Sequence, residues 1–200
     1  LKDAEKPVQQ AAVFALGRIG PENTAHVAEA LIAVAKNGEE PELRREAMTS
    51  LTVLGDQGTA VLTAATTALA DADPTIRRLA VATIVKFGTA AQPADADLVR
   101  SFTTDADKLV RSGALRALCV SRADRKTLIP LMTERLVGTK ADPDFEVRIA
   151  ICEELAGFGA EGKPAVPALQ NARRDGQIKV REAAAAAIKT IEKPPAPPKE

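Results

Sequence analysis

A thirteen-residue pattern recurs six times along this 200-residue chain, and its regularity constrains the fold more than any other feature. The copies are VQQAAVFALGRIG from Val8, LRREAMTSLTVLG from Leu43, IRRLAVATIVKFG from Ile76, VRSGALRALCVSR from Val110, VRIAICEELAGFG from Val147 and VREAAAAAIKTIE from Val180. Their starts lie 35, 33, 34, 37 and 33 residues apart. A unit of that length cannot bury an apolar face alone, so the repeats must stack on one another and share a core.

The first position of every copy is Val, Leu or Ile, the ninth is Leu or Ile, and the fifth is Ala except at Ile151. At about 100° per residue, positions one, five, eight, nine and twelve fall on one helical stripe. The small fifth residue lets a neighbouring helix approach closely. Gly20, Gly55, Gly88 and Gly159 close four copies where a helix end favours a left-handed residue. Pro7, Pro41 and Pro74 stand at copy starts, where a missing N–H is harmless. Second helical segments are expected between the copies, at 24–36, 59–70, 95–104, 126–137 and 164–173, giving eleven helices and no strand. Pro130 and Pro167 predict kinks in two of them. The expected organisation is a lone helix at 8–19, then helix pairs at about 24–54, 59–87, 95–121, 126–158 and 164–192. KPPAPPKE, residues 193–200, follows as a proline-rich tail or linker.

The VRxxAxxAL helices resemble the HEAT-repeat family, in particular the short bacterial type also seen in phycobilin-lyase-like proteins. The resemblance implies an all-α, right-handed α-solenoid of helix pairs. It also implies a structural ladder of aspartates and arginines along the stack. Here Asp71, Asp105, Asp142 and Asp175 stand six residues before Arg77, Arg111, Arg148 and Arg181. Gly38 stands where Arg44 would have its Asp, and Gln9 where Asp3 would have its Arg, so the ladder is expected to weaken at its N-terminal end. Residues 1–3 read as the tail of an earlier helix, and further repeats or another domain are expected upstream.

Little in the chain points to catalysis. With 27 Lys+Arg against 27 Asp+Glu, no Trp and no Tyr, it lacks the basic, aromatic surface of a nucleic-acid binder. No apolar run approaches the length of a membrane span. His26 is the one histidine, so neither an HExxH pair nor a multi-histidine metal centre can be built, and no cofactor is expected. GFGAEGKPA, from Gly157, has a superficial likeness to a phosphate loop but follows a helix and lacks the Ser or Thr after Lys; it reads as an interhelical turn. Cys119 and Cys152 fall on adjacent helices about 8–10 Å apart with an axial offset of about 6 Å. That exceeds the roughly 7 Å reach of a disulfide, so both are predicted to be free thiols. The compartment stays open.

In the family resembled here, the VRxxA helices line the concave face. Positions three, seven and ten point away from the core stripe and place Phe14, Arg45, Arg78, Val85, Arg116, Ile149 and Glu153 on that face. The arginines form a basic track, and Phe14, Val85 and Ile149 are candidate apolar anchors. Glu154, Ser121, Arg122 and the three extra residues near 138–145 break the pattern, as functional or drifting places do. The expectation is a non-catalytic scaffold, part of a larger bacterial HEAT-repeat protein, that binds a protein or peptide along its concave face. The alternative is a lyase-type HEAT-like enzyme or its subunit.

Overall fold

The structure is a computed structural model that describes residues 3, 5–18, 24–54 and 58–193. The chain divides into two compact units, residues 1–121 and 122–200. The first contains α1 (Lys6–Gly17), α2 (Thr24–Asn37), α3 (Pro41–Leu54), α4 (Thr59–Ala68), α5 (Pro74–Val85), a 3-10 segment (Gly88–Ala94), α6 (Asp95–Thr104) and α7 (Lys108–Val120). The second contains α8 (Arg125–Leu136), α9 (Phe145–Gly157), a 3-10 segment (Gly159–Ala165), α10 (Val166–Ala172) and α11 (Ile178–Ile191). Among the described residues there is no strand.

The apolar stripe explains the pairing. In α3, α5, α7, α9 and α11 the first-position residues Leu43, Ile76, Val110, Val147 and Val180 are all buried, as are the ninth-position Leu51, Ile84, Leu118 and Leu155. Each such side chain contributes about 1.5–3 kcal/mol relative to exposure. In the first unit α2 packs on α3, α4 on α5 and α6 on α7, while α1, α3, α5 and α7 lie side by side. In the second unit α8 packs on α9, α10 on α11, and α9 on α11. The fifth-position alanines Ala47, Ala80, Ala114 and Ala184 are fully buried. A further position is covered in the first five copies: Val13, Met48, Val81, Leu115 and Cys152, the sixth of each, are also buried, whereas Ala185 of the last copy is exposed. Each of these helices therefore hides a wider arc than its pairing stripe alone.

α1 departs from this rule. Its first-position Val8 is 48% exposed, whereas the same position in the other five copies is no more than 6% exposed. α1 reaches the stack mainly through α3, and Val13 is its fully buried contact.

Helix boundaries follow local chemistry. Pro41 and Pro74 open α3 and α5, and Pro7 lies in the first turn of α1. Pro130 lies inside α8. Pro167 does not interrupt a helix as expected; it stands in the first turn of α10, where its missing N–H has no intrahelical partner to lose. The residues before it, together with those before α6, form 3-10 turns of matching sequence, GTAAQPA and GAEGKPA. Gly88 and Gly159 open these turns at φ of 57° and 53°. Arg122 occupies the equivalent place at φ 60°, a conformation that costs a side-chain-bearing residue about 1–2 kcal/mol. Gly20, Gly55 and the tail at 194–200 lie outside the described residues.

The arginine at position two of α3, α5 and α9 joins one repeat to the next. Arg77 directs Nε and one terminal nitrogen at Asp105, at 2.7 and 2.8 Å, while its other terminal nitrogen donates to the main-chain oxygens of Asp71 and Ala72 at 2.9 and 3.1 Å. Arg44 repeats this on Asp71 (2.9 and 3.1 Å) and on the Gly38 oxygen (2.9 Å). Arg148 does so on Asp175 (2.9 and 3.0 Å) and the Asp142 oxygen (2.6 Å). Arg111 and Arg181 donate to the oxygens of Asp105 and Asp175, each at 2.9 Å.

The six-residue spacing therefore links an arginine to a main-chain carbonyl, and the carboxylate of the ion pair comes from the following repeat. This corrects the view of Gly38 as a missing partner of Arg44. The Gly38 carbonyl serves as well as an aspartate's, and a Cβ there would meet the Val34 oxygen at 2.7 Å. The joint lacking both fork and carboxylate is the one between α1 and α3, where Gln9 and Gly38 stand.

Candidate interaction face

Residues at positions three, seven and ten are exposed or half-buried wherever the structure describes their side chains. In the first unit they form a row across α1, α3, α5 and α7: Gln10 and Phe14, then Arg45, Thr49 and Thr52, then Arg78, Ala82 and Val85, then Ser112, Arg116 and Cys119. Phe14 is 52% exposed, and Val53 beside the row is 69% exposed. Val85 is half-buried. In the second unit Ile149 is half-buried and Glu153 exposed, both on α9.

The basic track is partnered from within. Arg45 makes an ion pair with Asp73 and a longer one, 3.5 Å, with Glu42. Arg78 grips both oxygens of Asp107, with its Nε at 2.9 Å. Asp73 and Asp107 also cap the next repeat helix, accepting from the N–H of Thr75 at 2.8 Å and of Leu109 and Val110 at 3.0 and 3.1 Å. The Arg78 fork and these N–H groups draw the Asp107 carboxyl down to about 2. Two of the three track arginines are thus spent on a second, outer row of joints. Arg116 has no ion-pair partner among the described residues.

The aspartates of this outer row were missed by sequence reasoning, although a signal was present. DADP at 71–74 and DADK at 105–108 place one aspartate for each of the two arginine rows, and DPDF at 142–145 repeats the pattern.

Open grooves run between neighbouring helices. One of about 390 Å³ lies between α1 and α3, lined by Pro7, Gln10, Ala11, Phe14, Glu42 and Glu46. Another, of about 470 Å³, has the threonines of α4 on one side with Asp97 and Arg100 of α6 on the other. In the second unit a groove of about 650 Å³ is lined by Pro130, Leu131 and Pro167 among others.

Neither Cys119 nor Cys152 takes part in a disulfide. Burial, with Asp175 and Glu153 nearby, pushes the Cys152 thiol up to about 12, so it stays protonated and unreactive at neutral pH. Among the described residues no group of three or more His, Cys, Asp or Glu is placed to hold a metal ion. No helix among them is long and apolar enough to cross a membrane. The His26 side chain lies outside what the structure describes.

The irregular stretch at 138–145 has a structural explanation. Its extra residues curl around Arg135, which donates to the Lys140 oxygen and to the Asp142 carboxylate, both at 2.9 Å. The Asp142 N–H returns a bond to the Arg135 oxygen at 2.8 Å, and Gly138 supplies the left-handed turn at φ 85°. Glu154, the other irregular residue, is half-buried on α9.

Residues 28–119 match the model for HEAT repeats. No curated protein matches the sequence significantly. Among solved structures, the chain is similar to a computationally designed armadillo repeat protein for modular peptide recognition, at 20% identity over 93% of this chain and 94% of that one, with a TM-score of 0.60. It is similar to a designed armadillo repeat protein in complex with the peptide (KR)4, at 16% identity over 91% of each chain and a TM-score of 0.60. A third likeness is to the CpcE–CpcF complex of phycocyanin lyase from a Nostoc species, at 19% identity over 96% of this chain and 74% of that one, with a TM-score of 0.58. At these identities the likeness is one of fold. Paired helices stacked at a period of about 34 residues, with the match over 28–119, give this chain an all-α repeat fold of the armadillo/HEAT type.

Proposed function

We propose that the chain is a non-catalytic scaffold and that the row across α1, α3, α5 and α7 binds a protein segment in extended form. One observation carries this reading: four helices lying side by side set the described residues of their third, seventh and tenth positions in one row of exposed and half-buried side chains, with Phe14 and Val53 standing out of it. A repeat helix offers the same two or three positions to every partner residue it passes, which suits a linear ligand. The designed relatives for modular peptide recognition share this architecture, which supports the reading. With Arg45 and Arg78 already paired, acidic attraction is concentrated at Arg116.

The test is a peptide array probed with the full chain, followed by titration of the strongest peptides against Ala82→Glu and Arg116→Glu in the centre of the row. Both residues are exposed, so the fold should survive, as circular dichroism would check. Loss of binding by tenfold or more is expected. Unchanged affinity in the double variant would remove the row as the binding surface. The lyase-type alternative calls for a different result: no peptide selected, and a shift in visible absorbance when a bilin chromophore is added.

A further inference from the structure

We infer that the α1–α3 groove is a subsite for one basic side chain, Lys or Arg, of a bound peptide. The inference deepens the reading above and rests on it. The groove's volume of about 390 Å³ accommodates a single long side chain. One wall, on α1, is mostly apolar: Pro7, Ala11 and the half-exposed ring of Phe14, with Gln10 among them. The other carries Glu42 and Glu46, one turn apart on α3. A lysine or arginine matches this pairing, because its methylene stem covers apolar surface while its head keeps a charged partner.

Three further observations set the sign of the charge. Glu46 has no ion-pair partner among the described residues. Among the described residues Glu42 pairs only with Arg45, at 3.5 Å, and Arg45 is already bound to Asp73. The Phe14 ring already attracts a cation, since the Arg18 guanidinium lies 5.5 Å from its centroid, within the range of a cation–π contact. Lys6, the nearest lysine on α1, is turned to Glu40. The groove thus keeps an uncompensated carboxylate beside an exposed aromatic face.

The experiment is fluorescence anisotropy of labelled (KR)4 and (EA)4 octapeptides with the full chain, at low and at physiological salt. The (KR)4 peptide is expected to bind and (EA)4 to bind at least tenfold more weakly. Glu42→Gln with Glu46→Gln should weaken (KR)4 by about tenfold, and Phe14→Ala should weaken it by at least threefold. Glu161→Gln with Glu192→Gln, an equal change of charge elsewhere, should leave it within twofold. If the control pair matches the groove pair, or if the groove variants bind as well as the unaltered chain, the subsite is overturned. In that event, peptides from the array that still respond to Arg116→Glu would show that the row survives without the subsite. If no peptide of either kind binds, both readings fall together.

Discussion

Arg77 and Arg78 are neighbours in sequence, each gripping an aspartate of the following repeat, yet they sit in different electrostatic surroundings. Arg77 is 14% exposed, forks onto Asp105 and at the same time satisfies two main-chain oxygens of its own repeat. Arg78 is 42% exposed and makes its joint with Asp107 alone. The same contrast separates Arg44 from Arg45. The inner row is sheltered and geometrically over-determined, and the outer row is wet. Burial raises the value of a charge-assisted fork and the cost of breaking it, whereas a solvated pair is screened and pays side-chain entropy. The inner row therefore holds the stack, and the outer row mainly orients helix starts and occupies charge that a ligand would otherwise meet.

The largest effect should come from Arg77→Ala. It leaves the Asp105 carboxylate with the Asp107 N–H but without its ion pair, removes a donor from two carbonyls, and should lower stability by about 3 kcal/mol in urea unfolding. Arg77→Lys sharpens the point, because an ammonium keeps the charge but cannot fork and reach the carbonyls together. More than half of the loss should remain; near-full recovery would show that charge alone, and not the fork, matters.

Acid probes both rows at once. Burial pushes the Asp71 and Asp175 carboxyls up, but the arginine forks and backbone N–H groups outweigh it, so both titrate below their ordinary value of 3.8. Asp107 titrates at about 2. Since the folded values lie below the unfolded ones, the stabilisation is complete above about pH 4 and is lost as pH falls towards 2. Unfolding midpoints at pH 5, 3 and 2 should show this decline, with a shallower slope in Asp107→Asn. An equal slope would remove the outer row from the acid response.

The smallest effect should come from Arg78→Ala, with a midpoint shift under a quarter of that for Arg77→Ala. It should shrink further at 1 M salt, where exposed pairs are screened. If Arg78→Ala matched Arg77→Ala, the contrast between the rows would be broken.

Much of this was legible before any coordinates. The stripe of positions one, five and nine names buried residues throughout α3, α5, α7 and α9, and in α11 at the first two positions, because a helical period is a local property of the chain. Other features escaped for identifiable reasons. The sixth position was left off the stripe although Val13, Met48, Val81, Leu115 and Cys152 are all apolar; it faces the neighbouring repeat, and a single-helix period does not show how many neighbours a helix has. The Asp–Arg spacing was visible, but spacing does not say which atom of the aspartate is used. The carbonyl serves its own repeat and the carboxylate the one before. Arg122 stood out as a departure from Gly, and the backbone keeps the left-handed turn despite it, so the turn is imposed by packing and not by the residue. The outer pairs are not visible in the sequence around Arg45 and Arg78, which read there as a basic track with nothing in their spacing to tie them to Asp73 and Asp107.

The two-sided use of Asp71 and Asp105 has a consequence for how such a chain can lengthen. Each aspartate presents its carboxylate backwards to the preceding arginine and its carbonyl to the arginine six residues ahead, so a segment running from one aspartate to the next carries half of two joints. Duplicating the 34 residues from Asp71 to Thr104 in tandem would place a new carboxylate before the old fork and a new fork before the old carboxylate. Every joint would be remade without altering any residue. An insertion between Asp71 and Arg77, which lie six positions apart, would instead break two joints at once. Growth by whole periods is therefore neutral to the ladder, and growth by any other length is not.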